Sequence, residues 1–248
     1  MRPPASGSAI ARIARLIASP ACPICGRASH RAGICGWCDL RLYPSPFPRW
    51  SGDGAVFSEG VPGDGIPVHS VFLHCGAARE LITGLKYEGR RRLASTAALL
   101  ACLHARSLPG PGDLLVPVPL SPRRARERGY NQAHLLARAL AEHTGARCRQ
   151  VLARDERGPQ VGLSRGERRR NLAGAFTAQH DLAGSGGIWL VDDVITTGAT
   201  LTEAAAALGR AGAGAVSGFT MTYRSLRPDL IIAEYEASPP SSERRATR

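Results

Sequence analysis

Two adjacent carboxylates, Asp192 and Asp193, are followed closely by Thr196, Thr197, Gly198, Ala199 and Thr200. Small hydroxyl residues around a glycine leave backbone N–H groups open. At the start of a helix those groups have no intrahelical partner, and the positive end of the helix dipole lies behind them, so such a loop is an anion site. Gly198 permits the tight turn, and the threonine hydroxyls add donors without bulk. Two acids so near would repel a phosphate, so they must face another part of the ligand: sugar hydroxyls, or a metal bridging to it. The ligand implied is a phosphorylated sugar. The plainer alternative is a strand-to-helix turn whose acids cap the helix and whose threonines satisfy their own backbone. Capping alone does not require two consecutive acids ahead of this whole loop.

A second constellation lies near the N-terminus. Cys22 and Cys25, then Cys35 and Cys38, form two Cys-x-x-Cys knuckles separated by nine residues. Each knuckle puts two thiolates on one turn, and the pair supplies a tetrahedral four-cysteine site for Zn²⁺. Four cysteines leave no open coordination position, so the role expected is structural. His30, between the knuckles, is an alternative ligand. A redox dithiol is the weaker reading, because there are two pairs and no βαβ context around them. A region of roughly 50 residues buries little core, so the metal is expected to supply most of its folding free energy. The third feature is a charge concentration: residues 120–170 carry 13 arginines against 5 acids, within a chain of net charge +12. Guanidinium groups clamp phosphates bidentately, which fits an anionic partner, either phosphorylated small molecules or nucleic acid.

The elements that must position these groups are visible as apolar runs. Strands are expected at 68–73, 114–118, 147–152, 188–191 and 215–223, with the acids following the fourth at its end. Helices are expected at 77–87, 91–104, 131–143 and 202–209, with Gly89 in the left-handed position after the first. Strands alternating with helices give an α/β domain with a mostly parallel sheet, and ligands bind at the carboxyl ends of its strands. Residues 123–128 read as a basic loop. Residues 1–50 hold a short amphipathic helix (Ile10–Ile17) and the cysteines. A Pro/Gly-rich linker spans 51–67, the α/β domain 68–228, and a polar flexible tail 229–248. Arg12 and Arg15 interrupt the first apolar segment, so it is not a signal peptide, and there is no 18-residue apolar run for a membrane span. The chain is therefore expected in the cytoplasm, where cysteines bind metal more readily than they form disulfides.

The run from Ile188 to Thr200 resembles the 5-phosphoribosyl-1-diphosphate (PRPP) motif of type I phosphoribosyltransferases. Leu85-Lys86-Tyr87 with Gly89 and Leu93-Ala94, Val116 to Ser121, and Arg126 to Gln132 resemble segments of the ComF family. So does the spaced pattern Arg154, Gln160, Leu163-Ser164, Arg168, Asn171, Ala175-Phe176. That family joins a zinc ribbon to a phosphoribosyltransferase domain and is linked to DNA uptake and natural transformation. The resemblance implies that Asp192 and Asp193 hold the ribose hydroxyls or Mg²⁺, and that Thr196 to Thr200 hold the 5′-phosphate. It implies that Val118, Pro119, Leu120 and Ser121 hold pyrophosphate with Mg²⁺, aided by Arg128, and that Lys86 and Asn131 contribute to the same site. Lys86, Arg90 and Arg91 are expected free to meet anions, and residues 154–176 are expected to form a loop that closes over PRPP. If the chain is catalytic, Asp192, Asp193 and Arg128 carry a transfer of phosphoribosyl from PRPP to an acceptor that the sequence does not name. The other reading is a non-enzymatic single-stranded DNA-binding or competence module that uses the same fold as scaffold or PRPP sensor. Scarce aromatics (5%) argue against a stacking platform there.

Overall fold

The computed structural model describes residues 21–29, 33–45, 66–155, 174–225 and 228–237. The amphipathic helix at 10–17, His30, the linker up to residue 65, Gln160 to Leu172 of the expected closing loop, and 238–248 lie outside the described residues. The expected α/β class is what the structure shows. Strands β1 (Val68–Leu73), β2 (Leu114–Pro117), β3 (Arg147–Cys148), β6 (Ile188–Ile195) and β7 (Val216–Tyr223) form one sheet in the order β1-β7-β6-β2-β3. Every neighbouring pair in it is parallel. Strands β4 (Leu152–Arg154) and β5 (Phe176–Ala178) pair antiparallel beside it.

Side chains alternate across the sheet and so feed two cores. On one face Phe72, Leu115, Val191, Phe219 and Met221 pack under helices α2 (Gly76–Tyr87), α3 (Leu93–His104) and α5 (Gln132–Thr144). On the other, Val116, Ile188 and Leu190 pack against α6 (Ala199–Arg210) and the β4–β5 hairpin. Helix α6 sits close because Gly218 offers no Cβ: one built there would lie 3.2 Å from Leu201 Cδ1 and 3.0 Å from Val68 Cγ2.

The cysteine-bearing part is not a separate globule. Cys22, Ile24 and Leu42, with Cys38 of the short helix α1 (Gly36–Asp39), share the first core with α2 and α3. Its chain then runs along edge strand β1, where Leu73 N–H donates to Tyr43 O (2.8 Å) and Ser45 N–H to Val71 O (2.9 Å). This pairing covers the otherwise open sheet edge. Apolar contacts with α2 and α3 therefore help to hold this region beside any metal it binds.

Three local readings change. The strand expected at 147–152 divides: β3 pairs with β2 through two registers, and the chain then leaves the sheet to form β4. Strand β2 is only four residues long and ends at a proline, which has no N–H for a further rung. The basic loop at 123–128 is a helix, α4 (Pro122–Arg128). Ser121 caps it by accepting from Arg124 N–H, Pro122 sits at its first position, and Gly129 at φ +69° ends it. The tail expected from 229 begins as helix α7 (Pro228–Ala237), whose Ile231 and Ile232 pack against the second core.

Candidate functional site

The acidic pair lies within strand β6 rather than after it. Strand β7 accompanies β6 to Ile195, but β2 stops at the Pro117–Val191 register, with Val118 N–H donating to Val191 O (2.9 Å). Beyond that point β6 overhangs its neighbour, and Asp192 and Asp193 line the resulting cleft of about 320 Å³. Alternation separates the two. Asp193 shares a face with Val191 and meets the Lys86 ammonium, which arrives from the last turn of α2 in an ion pair. Asp192 shares a face with Leu190, the side from which Arg154 of β4 enters. Asp193 N–H donates to Asp192 Oδ1 (2.8 Å).

The pair is electrostatically split. Burial, then the negative charge of Asp193, pushes the Asp192 carboxyl well above the usual carboxylate range. Burial works in the same direction on Asp193, but the Lys86 ammonium overrides it and holds that carboxyl below its ordinary value. The surroundings thus favour the ionised form of Asp193, against the ammonium, and the protonated form of Asp192.

Around the acids the strand ends converge. Thr196 and Thr200 line the cleft, and Gly198, at φ +77°, is the N-cap of α6. Thr197, Gly198 and Ala199 form the helix start rather than the cleft wall. Val118, Pro119 and Leu120 line the cleft after β2. Ser121 instead caps α4. Asn131 caps α5 by accepting from Ala133 N–H (3.0 Å) while its amide donates to Val118 O (3.0 Å), so it positions the loop at 118–120. Arg124 and Arg128 line the same wall; Arg128 rests over the Tyr87 ring at 5.0 Å.

The expected free cations at 86–91 are corrected. Lys86 is paired with Asp193, Arg90 donates to the backbone oxygens of Pro23 and Ile24 in the first knuckle, and Arg91 stacks on Tyr130 at 4.5 Å. Gln132, at the end of the Arg126–Gln132 segment, also lines the cleft, as do His74, Thr83 and Arg224, which belong to none of the motifs read from the sequence. His74 and Arg224 each stand directly after a strand, β1 and β7. The rule that ligands gather at strand carboxyl ends would have found both.

The four cysteine sulfurs all lie within 4.8 Å of one another, with Cys22 Sγ 3.8 Å from Cys38 Sγ and Cys25 Sγ 3.5 Å from Cys35 Sγ. Zinc–thiolate bonds of about 2.3 Å in a tetrahedron demand sulfurs about 3.8 Å apart, so the set fits a structural metal such as zinc. Burial would raise the Cys22 thiol, but backbone hydrogen bonds at Cys25, Cys35 and Ile24 reverse this and hold it at about 6. Burial and the neighbouring sulfurs push Cys38 up. Crowded thiols with one poised to ionise are the donor set a cation completes.

Fold and site together define a parallel-sheet α/β protein with an acid-and-arginine cleft at the strand ends and a four-cysteine centre packed on its helices. No protein-family model matches the chain. It is 34% identical over 203 residues to the DNA utilization protein YhgH of Escherichia coli K12, covering 79% of this chain and 86% of that protein. It is 29% identical over 205 residues to the competence protein ComFC of Bacillus subtilis 168, covering 81% and 76%. A shorter match, 35% over 148 residues, joins it to competence protein F of Haemophilus influenzae, covering 53% and 62%. The chain belongs to the ComF family. No helix among the described residues is long and apolar enough to cross a membrane.

Proposed function

We propose that this protein binds PRPP in the cleft at the end of β6 and acts in DNA uptake or utilisation, as the names of its relatives suggest for them. One observation carries the reading: the acid pair, Thr196 and Thr200 on either side of the α6 N-cap, and an arginine-lined loop share one cleft. Asp192 and Asp193 take the ribose hydroxyls. A pair of which one member already holds an ammonium, and the other is pushed toward its neutral form, suits hydroxyls better than a divalent cation. The start of α6 takes the 5′-phosphate, while Val118 to Leu120 with Arg124 and Arg128 take the pyrophosphate together with Mg²⁺. If the protein is a transferase, the nucleophile attacks C1′ as pyrophosphate leaves, and the chain's task is positioning and charge stabilisation.

Titration calorimetry of the metal-loaded protein with PRPP, with and without Mg²⁺, tests this. Binding that needs Mg²⁺ and disappears in the Asp192→Asn/Asp193→Asn protein is expected. Equal affinity in that variant removes the site. A second partner is favoured by Trp37, which is 52% exposed on the cysteine-bearing part with Arg27 and Arg41 over its ring at 5.0 and 5.4 Å. Arg41 is also paired with Glu80 (2.7 Å), so it is the exposed indole with Arg27 that suits a stacked base and its phosphate, which points to single-stranded DNA. Loss of oligonucleotide retention in Trp37→Ala checks it.

A further inference from the structure

The β2 side of the acid pair is occupied by the proposed pyrophosphate loop. The opposite side holds two residues with no role so far, His74 after β1 and Arg224 after β7, and both line the cleft. His74 Nδ1 lies 2.9 Å from Thr222 Oγ1, and the same hydroxyl lies 3.3 Å from the main-chain oxygen of Asp193. A carbonyl oxygen cannot donate, so the one hydroxyl hydrogen goes to Asp193 O. Thr222 Oγ1 must then accept from the ring, which puts the imidazole proton on Nδ1 and leaves the lone pair on Nε2 of a side chain that lines the cleft. Burial, then Lys86 and Arg224, with a smaller push from Arg79, outweigh Asp193 and hold the imidazole down to about 4, so it stays neutral.

We propose that His74 Nε2 accepts the proton of the incoming nucleophile and that Arg224 pairs with an oxygen of the same acceptor. This rests on the reading of the cleft as a PRPP site. Displacement at C1′ needs nucleophile and leaving group on opposite faces, and the order β1-β7-β6-β2 sets His74 and Arg224 across the acid pair from the pyrophosphate loop. An acceptor lone pair forms the new bond to C1′. The C1′–O bond breaks with its electrons leaving on pyrophosphate, and the acceptor's N–H or O–H proton passes to Nε2. The acceptor class is a compound with an ionisable N–H or O–H beside a carbonyl or carboxylate oxygen, as in a nucleobase, because the guanidinium fork binds such an oxygen. Burial is the first cause of the ring's low basicity, and the Lys86 and Arg224 cations add to it.

The test compares wild-type, His74→Gln and Thr222→Val proteins, metal-loaded. PRPP affinity is measured by calorimetry, and pyrophosphate release from Mg²⁺–PRPP is followed with water alone and with adenine, hypoxanthine, uracil or orotate added. His74→Gln is expected to keep PRPP affinity within about twofold and to slow release by roughly 10²-fold or more, the usual worth of a positioned base. Thr222→Val, which keeps the shape of the residue, is expected to slow release less and to shift His74 toward the other tautomer. That tautomer is read directly from the ring ¹⁵N shifts, which in the wild type should show protonated Nδ1 and bare Nε2. A wild-type ring protonated on Nε2 overturns the assignment, as does unchanged release in His74→Gln. Wild-type protein that binds PRPP but releases no pyrophosphate with any of these acceptors overturns it too, while leaving the binding site standing. Failure to bind PRPP at all removes the site and the acceptor with it.

Discussion

Exchanging Lys86 for methionine isolates the central ion pair. The side chains of Lys86 and Asp193 are 17% and 4% exposed, so the carboxylate would be left in a nearly dry pocket beside a second acid. Removing one member of a buried pair costs about 3–5 kcal/mol, and the partial exposure of the lysine places the expected loss near the lower end, about 3 kcal/mol. At about 2–4 °C per kcal/mol for a chain of this size, the midpoint should fall by about 6–12 °C at pH 7. The sign with pH follows from the two acids. Asp193 has a depressed carboxyl, so its contribution is present above the ordinary carboxylate range and fades as pH falls through its lowered value. Asp192 has a raised carboxyl, so its cost builds as pH climbs from the ordinary range toward the raised value. Without Lys86, Asp193 joins Asp192 in the second behaviour. The deficit of the variant should therefore shrink as pH falls from 7 to 5, and adding Asp193→Asn should recover most of it. Thermal unfolding followed by circular dichroism at both pH values reads all of this. A midpoint within about 1 °C of wild type at pH 7, or a double variant as weak as Lys86→Met, would refute the reasoning.

Cys25→Ser should lower bound zinc, measured by atomic absorption, and reduce the midpoint; full zinc retention would sink the four-cysteine site. Arg128→Ala should weaken pyrophosphate binding about tenfold and ribose 5-phosphate much less, since a charge-assisted contact is worth about 1.5–3 kcal/mol; equal losses by calorimetry would move the pyrophosphate elsewhere. Gly76→Ala should cost about 2–3 kcal/mol in urea unfolding, because Gly76 sits at φ +49° and an added Cβ would lie 2.4 Å from Arg41 O, where the cysteine-bearing part meets α2. No change there would mean the contact is easily remade.

The features legible from sequence are those fixed by neighbours along the chain. The apolar run at Ile188, the paired knuckles and the Gly89 and Asn131 helix boundaries all depend on local pattern, and the elements they mark are present. What depended on partners was not legible. Nothing near Lys86 announces Asp193, more than a hundred residues away, and Arg90 reads as a free cation until Pro23 and Ile24 are seen beneath it. The strand at 147–152 fails for a similar reason: Val151 and Leu152 extend the pattern, but the neighbour able to pair with it offers no N–H at Pro117. The helix at 122–128 could have been found, because Ser121, Pro122 and Gly129 are a full set of boundary signals that a run of arginines obscured.

The apolar cluster that carries Cys22, Ile24 and Cys38 into α2 and α3 has a consequence for how the molecule melts. A cysteine module with its own core would give a separate transition, and stripping its metal would leave the sheet indifferent. Here the interior is common property, so heating should produce one cooperative transition rather than two. A chelator should lower that single transition and speed amide exchange in α2 as well as in the knuckles. The metal would then act as a clasp on the helix that delivers Lys86 to the cleft.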